Sequence, residues 1–179
     1  MHEQHTTYLA QRLGQQLFAA RAWVSTAESC TGGGIAEAIT RIAGSSAWFE
    51  VGFVTYSNRQ KTRVLQVAES DLQRDGAVSQ TVVESMARGA QQLSGAQYAV
   101  AVSGVAGPDG GSPEKPVGTV WLAWTQGTLV QSGCWCFAGD RHAVRQQTVQ
   151  AALAGLLCLT EGQAATAWPQ WLNKHLPNQ

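Results

Sequence analysis

The side chains able to do chemistry gather in three stretches of the sequence. The first is Ser25-Thr26-Ala27-Glu28-Ser29-Cys30-Thr31-Gly32-Gly33-Gly34, entered from a β-rich run (Ala22 to Thr26) and left by a helical one (Ile35 to Ile42). Glycines let a backbone approach a ligand closely, and the first amides of a following helix point outward unpaired. Such a turn, with Gly32 at its centre, can hold an anion or an oxyanion, while Ser29, Cys30 and Thr31 are each capable of nucleophilic attack. The plainer alternative is a strand–loop–helix connection in which Ser or Thr is the N-cap. The second stretch is Ser57-Asn58 with Lys61, one of only three lysines beside Lys115 and Lys174. The third, Ser103-Gly104-Val105-Ala106-Gly107-Pro108-Asp109-Gly110-Gly111, follows a continuous apolar run. A partly desolvated lysine sheds its proton readily and can then deprotonate a serine; the competing reading of Lys61 is a solvated helix residue.

Other classes of function are disfavoured by composition. The 179 residues suit one domain with a sizeable core; 44% are hydrophobic and only 13% charged. Twelve basic residues balance twelve acidic ones with no basic stripe, which argues against nucleic acid as the main partner. No apolar run reaches membrane-spanning length, and Met1-His2-Glu3-Gln4-His5 lacks the order of a secretion signal, so a cytoplasmic protein is expected. Cys134 and Cys136 are too close in sequence for a usual disulfide or a zinc knuckle and Cys158 sits alone in an apolar helix, so buried free thiols are expected, and the four histidines form no ligand pair. Neither a metal nor a cofactor is expected.

Three stretches can form one site only if secondary structure brings them to one place. The spacing of Tyr8, Leu9, Leu13 and Leu17 predicts a helix over 6–20. Strands are expected over 22–27, 49–57, 98–102 and 117–124, the last turning at Thr125-Gln126-Gly127 into a hairpin partner over 129–137. Helices are expected over 31–42, from Asn58 past Leu65, from a Ser79 cap to Ser94, and from an Asp140 cap onward. This order implies an α/β fold, a three-layer α/β/α sandwich around a mixed, mostly parallel sheet. All three stretches would then lie at carboxyl ends of parallel strands, where such sheets gather ligands. Residues 1–160 read as the domain and 161–179 as a loosely docked tail.

The three loops also carry a family resemblance. Thr26-Ala27-Glu28-Ser29-Cys30-Thr31-Gly32-Gly33, Gly44-Ser45-Ser46, Gly52-Phe53-Val54-Thr55-Tyr56-Ser57-Asn58 with Lys61, and Gly76-Ala77-Val78-Ser79 resemble the CinA C-terminal family. So do Ser103 to Gly111, Lys115-Pro116-Val117-Gly118-Thr119-Val120 and Phe137-Ala138-Gly139-Asp140-Arg141, all in order between about residues 6 and 158. The family includes stand-alone bacterial nicotinamide mononucleotide deamidases of the PncC type. The resemblance implies hydrolysis of that carboxamide to nicotinate mononucleotide and ammonia in pyridine nucleotide recycling, with Ser29 as nucleophile and Lys61 as base. It also implies a homodimer.

Roles for the other residues follow from that chemistry. Neighbours in an extended segment point opposite ways, so Ser29 is expected in the cleft and Cys30, the rival nucleophile, packed behind it. Glu28 either orients Lys61 or the carboxamide, or serves as a helix-start carboxylate. Arg141 and Arg145 share a helix face, and Arg145 is expected to seat the phosphate, the alternative being a surface ion pair. Ser103, Gly104 and Gly107 offer donors at a strand's end, and Thr31, Ser46 and Asn58 add hydrogen bonds. Tyr56 either stacks on the pyridinium ring or packs in the sheet. A reading of another class is a non-catalytic module that senses a nucleotide without cutting it; ammonia release separates the two.

Overall fold

The computed structural model describes residues 2–176. The sheet has the order β2-β1-β3-β4-β5, built from β1 (Val24–Glu28), β2 (Phe49–Val54), β3 (Tyr98–Gly104), β4 (Thr119–Gln126) and β5 (Leu129–Cys136). β1 lies parallel between β2 and β3, β4 is antiparallel to β3, and β5 is antiparallel to β4. Four strands therefore run one way and β4 alone opposes them, as the expected mixed, mostly parallel sheet requires. The β4–β5 hairpin closes through Gly127 and Thr128, with Gln126 opposite Leu129; Gly127 takes the positive φ (58°) that a two-residue hairpin loop demands.

Strand alternation divides the core into two layers of unequal thickness. Val24, Val100, Val102, Leu122 and Trp124 point to one face, against α1 (His2–Ala20), α2 (Gly34–Thr40) and α6 (Arg141–Thr160). Ala27, Ala99, Ala101 and Ala123 point to the other, where α5 (Gln80–Ser94) rests on them through Val82, Val83, Met86, Ala87 and Ala90. α3 (Asn58–Leu65) and α4 (Glu69–Asp75) complete the thinner layer, with Leu65 and Leu72 in its core. α6 is buried all round from Thr148 to Leu159, where only Thr148 and Gln150 are polar, because the sheet, α1 and the last helix enclose it. Among the described residues no helix is long and apolar enough to cross a membrane.

Two helices have no counterpart among the expected elements. α4 offers only Leu72 to the core, too faint a pattern to read. The second is α7 (Trp168–His175), preceded by a 3-10 turn at Ala165–Ala167. The segment expected to dock loosely instead buries Trp168, Trp171, Leu172 and Leu176, spaced three, one and four residues apart along one helical face. Residues 177–179 of that tail lie outside the described residues. Trp171 is 2% exposed, donates Nε1–H to Glu161 Oε2 (2.8 Å), stacks on His175 and lies 5.1 Å under the Arg12 guanidinium. Glu161 also accepts from Arg12 Nη2 (3.0 Å) and Gln16 Nε2 (2.9 Å), so one carboxylate ties α1, the end of α6 and α7 together. Trp171→Ala should lower the unfolding free energy by about 3 kcal/mol, since it leaves a cavity and takes from Glu161 Oε2 the shorter of its two hydrogen bonds; urea denaturation followed by far-UV circular dichroism measures the loss, and a change below about 1 kcal/mol would mean the segment is not integral to the fold.

Candidate active site

The carboxyl ends of β1, β2 and β3 meet at one rim, and the ladder continues past the strands to fix the loops there. Ser29 N–H donates to Val102 O (3.1 Å), and Thr55 N–H donates to Glu28 O (2.9 Å). The loop after β1 and the loop after β2 are thus held side by side. Ser57 caps α3 by accepting from Gln60 N–H (3.3 Å), and one turn into that helix stands Lys61.

Lys61 is 1% exposed, and its Nζ lies 3.0 Å from Ser29 Oγ, 2.9 Å from Thr55 O and 3.2 Å from Tyr56 O. These three partners are neutral oxygens, so burial of the ammonium goes without compensation by a carboxylate and pulls the Lys61 pKa below the ordinary 10.5. The geometry suits both protonation states. An ammonium donates to all three oxygens; a neutral amine keeps its two N–H donors on the carbonyls and turns its lone pair to the serine O–H.

Glu28 does not face this amine. Strand alternation carries its side chain to the α2 side, where it is fully buried. Its carboxylate accepts from the amides of Gly33 (3.0 Å), Ile35 (3.0 Å) and Ala36 (2.8 Å) and from the hydroxyls of Thr31 (2.6 Å) and Thr26 (3.4 Å). The expectation that Glu28 orients Lys61 or a carboxamide therefore gives way to the helix-start role: it satisfies the free amides and the positive end of α2. α2 begins at Gly34 rather than Thr31 because Gly32 and Gly33 take positive φ (59° and 97°), which bends the chain back over the carboxylate. Thr31 is corrected with it, since its hydroxyl is fully buried and spent on Glu28. Cys30 points the same way into the thick core layer, 5% exposed, and burial pushes its thiol up to about 12.

The remaining sequence-predicted residues divide between rim and elsewhere. Asn58, the first residue of α3, is exposed at the rim, and Tyr56 is 59% exposed with its phenol oxygen accepting from Arg141 Nη2 (3.1 Å), so its ring does not pack in the sheet. Gly107 O accepts from Arg141 Nη1 (3.0 Å). Ser103, 1% exposed, donates its hydroxyl to Ala77 O (2.7 Å) and is committed to the loop before α5. Gly104 is there for packing: a Cβ would lie 2.8 Å from Thr119 O. Arg145 donates Nη2–H to Thr31 O (2.7 Å) and lines, with Gly34, Glu37, Arg41 and His142, a cleft of about 220 Å³ whose walls include neither Ser29 nor Lys61. It sits behind the loop that carries Ser29, next to Gly32. Ser46 lies in the 3-10 turn Ser45–Ala47 before β2, one six-residue strand (about 20 Å) from the rim, and is not brought to it.

Comparison with known proteins agrees with this architecture. The model of the CinA C-terminal domain matches residues 6–159. The chain belongs to the CinA C-terminal domain family. Within it, the chain is 69% identical over 153 residues to the nicotinamide-nucleotide amidohydrolase PncC of Pseudomonas putida, covering 86% of this chain and 96% of the relative. It is 54% identical over 159 residues to the protein of the same name from Escherichia coli strain K12, covering 87% and 95%. Among solved structures it is similar to the competence/damage inducible protein CihA from Agrobacterium tumefaciens, with a TM-score of 0.85 and 45% identity over 87% of this chain and 95% of that one.

Three contributors to the rim of this CinA domain were not assigned from sequence. The carbonyls of Thr55 and Tyr56 leave no mark in residue type. Arg141 did leave one, the four-residue spacing to Arg145, but only the tertiary structure shows that the two guanidinium groups serve different sides of the loop. Cys134 and Cys136 are exposed on β5, the edge strand of the sheet, rather than buried as expected; thiol reactivity checks this and the layering around Ser29. Under native conditions at neutral pH, a small alkylating agent should label the exposed Cys134 and Cys136 while the buried Cys30 and Cys158 stay unmodified until the chain is unfolded. Peptide mass mapping reads the outcome, and early labelling of Cys30 would contradict its placement.

Proposed function

We propose that this protein hydrolyses the carboxamide of nicotinamide mononucleotide to nicotinate mononucleotide and ammonia, with Ser29 as the nucleophile and Lys61 as its base. The substrate class is carried by the two amidohydrolases to which nearly the whole chain is 54% and 69% identical. The residue roles rest on one observation, a buried lysine amine 3.0 Å from a serine hydroxyl at the sheet's rim. A half-buried serine beside an amine whose proton is loosened by burial is an activated nucleophile; a buried cysteine thiol pushed up to about 12 is not.

The reaction runs in two halves. Neutral Lys61 takes the Ser29 proton as Oγ bonds to the carboxamide carbon, and the carbonyl π electrons move to oxygen. Backbone amides of the loop receive that oxyanion; among the described residues, those of Cys30 and Thr31 donate to no carbonyl of the chain. The Lys61 ammonium then protonates the nitrogen, the C–N bond breaks and ammonia leaves, regenerating the neutral amine and leaving a Ser29 ester. Lys61 next takes a proton from water, whose hydroxide adds to the ester carbon; the C–O bond to Ser29 breaks and the serine recovers its proton from Lys61. The Thr55 and Tyr56 carbonyls hold Nζ in place throughout.

Ammonia release from nicotinamide mononucleotide should fall about 10²- to 10⁴-fold in both Ser29→Ala and Lys61→Ala and stay within a few-fold of wild type in Cys30→Ala. Activity surviving Ser29→Ala would remove the serine from its role, and tight binding without any turnover in wild type would favour a sensor over an enzyme. The pH dependence has a definite sign. The base works only when neutral, so kcat should drop as pH falls through the Lys61 pKa, and the midpoint of that limb should lie below 10.5 because burial lowers it.

A further inference from the structure

We propose that Arg141, rather than Arg145, binds the 5′-phosphate of the substrate and sets the preference for nucleotide over nucleoside. The inference rests on the amidohydrolase reading above and names the group that reads one end of that substrate. Arg141 is the first residue of α6, and its guanidinium bridges the two sides of the rim: Nη2–H donates to Tyr56 Oη (3.1 Å) and Nη1–H to Gly107 O (3.0 Å). The same Tyr56 gives its carbonyl to Lys61 Nζ (3.2 Å). One tyrosine residue therefore spans the gap between the base and the guanidinium. A substrate carbonyl held at Ser29 would extend along this tyrosine, with its phosphate directed to Arg141.

The chemistry of the two arginines separates them. Arg141 is exposed, and two hydrogen bonds leave three of a guanidinium's five donors free for a doubly charged oxyanion. The neighbouring Asp140 carboxylate, which would repel an anion, is turned to the Ala143 amide (2.8 Å) as the helix cap. Arg145 instead fastens Thr31 O from behind the loop, with Arg41, His142 and Glu37 around a cleft that Ser29 does not line. Arg145 is accordingly a positioning residue for the loop.

The test compares two substrates, nicotinamide mononucleotide and nicotinamide riboside, which differ only in the phosphate. Wild type should prefer the nucleotide in kcat/KM by about 10- to 100-fold, the worth of one or two charge-assisted hydrogen bonds. In Arg141→Ala that ratio should collapse toward one, chiefly through KM of the nucleotide. In Arg145→Ala the ratio should persist while kcat falls for both substrates. A ratio unchanged in Arg141→Ala, or abolished instead in Arg145→Ala, overturns the proposal and leaves the amidohydrolase reading intact. A calorimetric arm uses Ser29→Ala with and without Arg141→Ala: binding of nicotinamide mononucleotide should weaken by the same factor of about 10 to 100 while binding of the riboside does not change. That dependence in a protein whose wild type releases no ammonia would fell the amidohydrolase reading alone; equal binding in the two backgrounds would fell the role of Arg141.

Discussion

The buried carboxylate of Glu28 accepts hydrogen bonds from three amides and two hydroxyls of its own strand and the segment that follows it, and the geometry of the rim depends on that arrangement. A carboxylate taken fully out of water is tolerable only where its lone pairs are matched by donors. Here the donors are the free amides of α2 and the side chains beside them. In accepting them the carboxylate folds the glycine-rich turn back over itself and leaves Ser29, the next residue, facing the other way. The orientation of the Ser29 hydroxyl thus goes together with where its neighbour's charge is satisfied.

A second charged group is buried on the opposite side of β1, this one without an opposite charge. Lys61 is as enclosed as Glu28, yet its partners are one hydroxyl and two carbonyls. The loop backbone separates the two charges, so the acid cannot hold the lysine protonated by direct contact. Moving the carboxylate to the lysine side would pair the two and raise the amine's proton affinity, the reverse of the lowering that burial produces here. Alternation along a single strand keeps them apart.

The unequal layers serve the same end. Alanines beneath α5 bring that helix close to the sheet, and α3, which packs on it, carries Lys61 close to the end of β1. On the other face, larger side chains hold α6 farther out, and its first turn reaches over the rim with Arg141. α7 covers the far end of that thick layer, where Trp168 sits edge-on to Trp135, which in turn meets Trp124. Through Ala165, Trp168, Trp171, Leu172 and Leu176 the described part of the tail is thereby joined to the core.

Local pattern was enough to specify most of the elements and their order, because periodicity and turn residues are properties of short stretches of chain. The opposite facing of Ser29 and Cys30 was legible for the same reason, being a consequence of the two-residue period of a strand. The element order put Ser29 and Lys61 at the same end of the sheet, but their roles as a pair were legible only through resemblance, since nothing local to either residue announces the other across thirty-two positions. Glu28 read either as a ligand contact or as a helix-start carboxylate, and Thr31 and Ser103 read as hydrogen-bonding contacts to a ligand; three-dimensional packing buries all three among donors and acceptors of their own chain. Ser46 was displaced by strand polarity, which puts the start of β2 at the wrong end of the sheet. Which of two arginines one helical turn apart faces the rim was likewise settled only by the folded chain: one turn is enough to move a side chain from the front of a loop to its back.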